Sequence, residues 1–65
     1  MKNGILLIQK IVGDAIKRGV NEIPLELIRR QMLQEGFLSA TIDRKIREYV
    51  GAYGGTIARG YLKLA

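Results

Sequence analysis

Residues 24–53 read PLELIRRQMLQEGFLSATIDRKIREYVGAY, and this stretch decides the fold. Leu25, Ile28 and Met32 recur at three and four residues, widened by Leu33, so the spacing predicts a helix over 24–35 with one apolar stripe. Pro24 suits the first turn of that helix, because its φ is fixed and its missing N–H would have no partner there. Gly36 is the expected stop. After the apolar turn Phe37-Leu38, Ser39 offers an N-cap oxygen and Asp43 lies near the positive helix terminus. Ile42, Ile46, Tyr49, Val50 and Tyr53 then repeat at helical spacing over 39–53. The joint Gly36-Phe37-Leu38-Ser39 has the length and glycine content of a helix-turn-helix connection.

Upstream, Ile5, Ile8, Ile11, Val12, Ala15 and Ile16 mark an amphipathic helix over 5–18, closed by Gly19 after the basic pair Lys17-Arg18. Gly13 costs this helix about 1 kcal/mol relative to Ala and predicts a close approach by another element. Residues 20–23 are too short for a helix and read as an extended segment. Downstream, Gly54-Gly55 ends the third helix. The segments 56–58 and 61–64 then alternate around Arg59-Gly60, predicting a β-hairpin whose first turn residue is not the favoured Asn or Asp. The expected fold is α+β, mainly helical: a three-helix core with a helix-turn-helix and a C-terminal β-hairpin. No repeat or linker divides residues 1–65, so one domain is expected.

Composition narrows the chemistry. The 65 residues contain no Cys and no His, which removes disulfides, zinc sites of Cys or His ligands, a thiol nucleophile and an imidazole base. No enzymatic activity and no cofactor are expected. Gly54-Gly55 follows a helix and lacks the Lys-Ser/Thr continuation of a phosphate-binding loop. Tyr49 and Tyr53 lie on the predicted buried stripe, which makes them packing residues rather than stacking platforms. Net charge is +5, from 11 Lys and Arg against 6 Asp and Glu, and residues 29–65 hold seven basic and three acidic groups, or +4 of it. Such an excess favours a polyanionic partner bound by the second half. The longest apolar run, residues 5–8, is far below the roughly 20 residues of a membrane span, and no secretory signal is legible. The expected location is the cytoplasm, with no membrane partner.

The order helix, short extended segment, helix, tight turn, helix, glycine-rich hairpin resembles the winged helix-turn-helix family over essentially the whole chain. In that resemblance 20–23 is the first small strand, 24–35 the second helix, 39–53 the recognition helix and 55–64 the wing. It implies a double-stranded DNA partner, a role as transcriptional regulator or replication-associated factor, and nucleoid association. The face opposite Ile42, Ile46 and Val50 is centred on Ala40, Arg44, Arg47 and Gly51, with Thr41, Lys45 and Glu48 flanking. On the family's pattern this face enters the major groove. Arg44 and Arg47 then carry base or phosphate contacts, Ser39 and Thr41 reach phosphate, and Ala40 permits close approach. Arg59 at the wing tip is the candidate for a minor-groove or backbone contact, and Arg29 and Arg30 for phosphates.

Two features of the sequence compete with that reading. Asp43 and Arg47, Arg44 and Glu48, and Glu26 and Arg30 each stand four apart, and Asp14 has Lys10 and Arg18 four residues either side. Helical ion pairs of this kind would neutralise the outward arginines. Winged helices also serve as protein-interaction modules, including at the C-termini of minichromosome-maintenance helicases, and Leu6, Leu27 and Tyr61 are candidate exposed apolar residues for such a role. An unpaired edge strand of the wing would also allow a homodimer.

Overall fold

The computed structural model describes residues 3–65 as α1 (Gly4–Lys17), β1 (Glu22–Pro24), α2 (Leu25–Gln34), α3 (Ser39–Tyr53), β2 (Thr56–Ala58) and β3 (Tyr61–Lys63). The strands form one antiparallel sheet in the order β1-β3-β2, with Ile23 and Ile57 on either side of Leu62. The mainly helical α+β layout with a helix-turn-helix and a C-terminal hairpin is therefore the observed architecture. Among the described residues no helix is long and apolar enough to cross a membrane.

The apolar stripes converge on one core. Ile8, Ile11 and Val12 of α1, Leu25, Ile28 and Met32 of α2, and Ile42, Ile46 and Tyr49 of α3 are buried with Ile23 and Leu62 of the sheet. Each large apolar side chain so buried contributes on the order of 1.5–3 kcal/mol, which is how a chain without disulfide or Cys/His metal staples holds together. Gly4 is buried where α1 meets α3, and a Cβ there would stand 3.0 Å from Lys45 Cγ and 3.3 Å from Met32 Cε.

Helix ends set the path of the chain. At the end of α2, Gly36 has φ +92°; its N–H donates to Leu33 O (2.9 Å) and the Phe37 N–H to Met32 O (3.1 Å). This Schellman closure turns the chain sharply and leaves Phe37 against the core, so α3 starts two residues later. The end of α1 has the same pattern, Gly19 N–H to Ile16 O and Val20 N–H to Ala15 O. Val20 is thus engaged in a helix cap, and the first strand is Glu22–Pro24 rather than 20–23. Pro24 ends that edge strand and precedes α2 instead of opening it. The N-cap of α3 is Leu38, with no side-chain cap, because Ile42 N–H donates to Leu38 O; Ser39 is the first helical residue. Asn3 caps α1, its Oδ1 accepting from the Leu6 N–H at 3.1 Å.

Three stripe residues lie outside the core. Ile16, Leu33 and Tyr53 are more than half exposed: Ile16 and Leu33 lie about 100° round their helices from the buried stripe, beside the covered Ala15 and Met32, and Tyr53 is the last residue of α3. Tyr53 stacks on Tyr49 with ring centroids 5.0 Å apart. The close approach expected at Gly13 is absent: among the described residues nothing from outside the local helix backbone lies within 4 Å of a Cβ built there.

Candidate nucleic-acid interface

Helix α3 turns Ala40, Arg44, Arg47 and Gly51 outward, each exposed, while Ile42, Ile46 and Tyr49 anchor its opposite side in the core. Ser39 is exposed and Thr41 half-buried. The anchoring makes the outward face a rigid one, since α3 rests on both α1 and α2.

The ion pairs differ from those that spacing along the helix predicts. Asp43 does not pair with Arg47; its Oδ1 accepts from Arg29 of α2, at 3.1 Å from Nε and 2.8 Å from Nη2. Glu48 does not pair with Arg44; its Oε2 takes the Lys45 ammonium at 3.0 Å. Asp14 pairs with neither Lys10 nor Arg18, and only Glu26–Arg30, at 3.7 Å, follows the four-residue expectation. The reason is geometric. Asp43 lies where α3 crosses α2, so a planar guanidinium on the neighbouring helix reaches it with two donors, which a helical neighbour one turn away does not match. Both carboxylates of α3 are engaged by other cations, and among the described residues Arg44 and Arg47 make no ion pair.

These contacts also sort the remaining candidates. The stem of Lys45 runs over Gly4 and its ammonium is held by Glu48, so it braces α3 against the start of α1. Arg29 ties α2 to α3, and Arg30 pairs along its own helix. Beside α3, a groove lined by Leu25, Arg29, Asp43, Ile46, Arg47 and Ile57 separates it from the hairpin. Arg29 and Arg47 therefore border the same groove.

The hairpin turn places Arg59 at its tip, exposed, with φ +52°, followed by Gly60 with φ +79°. Two successive positive φ values are the signature of a type I′ turn, which matches the twist of the strands. Gly60 O accepts from the Leu25 N–H at 2.9 Å, so the turn is fastened to the start of α2 rather than projecting freely. The pairing of a wing turn with α2 and the Arg29–Asp43 bridge span 35 and 14 residues; no local spacing signals either.

The Tyr49 phenol is pushed above its ordinary value, chiefly by burial and secondly by the neighbouring Tyr53 phenol, so it stays protonated at neutral pH. Among the described residues no group of three or more acidic side chains could hold a metal ion. What the arrangement offers is a convex helix face with two unpaired guanidiniums, beside a short hairpin with a third. Comparison of the chain with family models, with curated proteins and with solved structures gives no match.

Proposed function

We propose that this chain is a winged helix-turn-helix module that binds duplex DNA, with α3 in the major groove and the β2–β3 turn against the adjacent backbone or minor groove. The observation that carries this reading is the disposition of charge on α3. Its two carboxylates are held by Arg29 and Lys45, and Arg44 and Arg47 face outward without a partner among the described residues. Guanidiniums in that position bond phosphate oxygens or a guanine edge in bidentate fashion. Arg59 adds a third contact from the wing, and exposed Ser39 and small Ala40 at the start of the helix allow a close approach to the backbone. A regulator of transcription or a replication-associated factor is the corresponding role.

The test is a duplex titration across salt concentrations. Three phosphate contacts give a slope of log K against log salt of about −3, and Arg44→Ala with Arg47→Ala lowers its magnitude by about 2 and weakens binding at least about tenfold. Lys17→Ala on α1 serves as the control, because Lys2 lies outside the described residues. Equal losses from the control and from the paired α3 variant overturn the assignment of this face. The competing reading, a protein-interaction module, draws on the exposure of Leu33 and of Leu38 at the turn between α2 and α3. It requires that no saturable duplex binding occur at low salt.

A further inference from the structure

The sheet has a covered side and an open one. Along β1 and β3 the residues alternate exposed, buried, exposed, so Ile23 and Leu62 turn into the core and their neighbours turn away from it. The register lays the outward residues in two rows across the strands, Pro24, Tyr61 and Ala58 in one and Glu22, Lys63 and Thr56 in the other. Tyr61 thus stands on the central strand between two short side chains, neither long enough to cover its ring. It is 41% exposed, and among the described residues it stacks on no other ring, unlike Tyr49 and Tyr53. Cations bracket it along the chain. Arg59 lies two residues before it at the hairpin tip and Lys63 two residues after it on the same face; both are exposed, and neither is ion-paired among the described residues.

We infer that this open sheet face binds single-stranded nucleic acid, with one base stacked on the Tyr61 ring and the phosphates on either side of that base held by Arg59 and Lys63. A base inside a duplex has both π-faces occupied by its neighbours, so an exposed ring on a sheet takes an unpaired strand. Every base offers a π-face, and the contact is therefore tolerant of sequence. Charge sets the path of the strand. Glu22, directly across from Lys63 on β1, is the one carboxylate in the two rows, and it repels a phosphate chain from the β1 half of the face. The β2 half presents only Thr56 and Ala58, so the strand follows β3 on the side of β2. This site goes beyond the duplex reading of α3. It uses neither Arg44 nor Arg47 and shares only Arg59 with that surface.

Titration of the full chain with a labelled oligothymidylate of about eight nucleotides, read by fluorescence anisotropy and by amide shifts, is the test. Two phosphate contacts on a single strand give a slope of log K against log salt of about −1.4, and Lys63→Ala should lower its magnitude by about 0.7. Tyr61→Ala should weaken binding about tenfold, whereas Tyr61→Phe, which keeps the ring, should change it by less than about twofold. Tyr61→Leu keeps an apolar side chain on the sheet but no π-face, so it should weaken binding as Tyr61→Ala does while retaining the native helical circular dichroism. Glu22→Gln should tighten binding about twofold. Amide shifts should centre on residues 56–63. An absence of saturable binding at low salt overturns the inference. So does a Tyr61→Leu chain that binds as the native chain does, a Tyr61→Phe chain as weak as Tyr61→Ala, or shifts centred on 39–53, which would put the strand on α3. Because no duplex is present, and because the dependence on Tyr61 should persist in the Arg44→Ala, Arg47→Ala background, failure here is separate from failure of duplex binding.

Discussion

Arg59 sits on a backbone that suits Asn or Gly. With φ +52°, its Cβ crowds the following carbonyl at a cost on the order of 1 kcal/mol, yet the side chain it presents is the cation at the tip of the hairpin. On the proposed function, stability and binding oppose each other at this residue. Arg59→Asn should raise stability by about 0.5–1 kcal/mol, a few degrees in Tm for a chain of this size, and weaken duplex binding in the same preparation. Thermal melts and a titration read the two effects, and a variant that loses stability refutes the strain. Tyr49 gives a second prediction. Its phenol is raised in the folded state, so the unfolded chain releases this proton first as pH rises. The stability it contributes is fully present below the ordinary tyrosine value near 10 and is lost as pH climbs through the folded value. Melting temperature should fall above about pH 10, and Tyr49→Phe should flatten that limb; an unchanged limb assigns it to other groups.

At the scale of elements, the angle between α2 and α3 is fixed by the Gly36 closure and the Phe37 anchor, and the Arg29–Asp43 bridge spans the crossing. Both partners of the bridge are about half exposed, so it is worth less than about 1 kcal/mol, and its larger effect is to pair the Asp43 carboxylate with Arg29 rather than with Arg47. Asp43→Asn should therefore cost under about 1 kcal/mol by denaturant titration and strengthen duplex binding by removing a negative charge beside the arginines. Weaker binding would mean that the bridge sets the helix geometry instead. The sequence shows the helices because Ile8, Ile28 and Ile42 and their neighbours repeat at 3.6 and because glycine follows each last turn. It shows the hairpin because alternation around Arg59-Gly60 has period two. Hidden from it are contacts without a local period. Val20 looks like strand and caps α1, Ser39 looks like an N-cap and follows one, and Asp43 looks like the partner of Arg47 and belongs to Arg29. The outward face was legible as positions; its state of charge was not, because the neutralising group comes from another helix.

For the whole molecule, the net +5 matters less than where it remains unpaired. In residues 29–65 the cations outside any ion pair among the described residues are Arg44, Arg47, Arg59 and Lys63, all on α3 or the hairpin, and Glu35 is the one carboxylate left unpaired. Within this half the unpaired cations lie on α3 and the hairpin, a distribution that, on the proposed function, would draw a polyanion to those elements. On that proposal the same cations would supply salt-dependent affinity without requiring any one base sequence. A titration of isotopically labelled protein with a duplex of random sequence, followed by amide chemical shifts, tests this most directly. Binding through the proposed surface predicts shifts confined to residues 39–47 and 59–61; an absence of shifts at low salt, or shifts centred on α1, contradicts it.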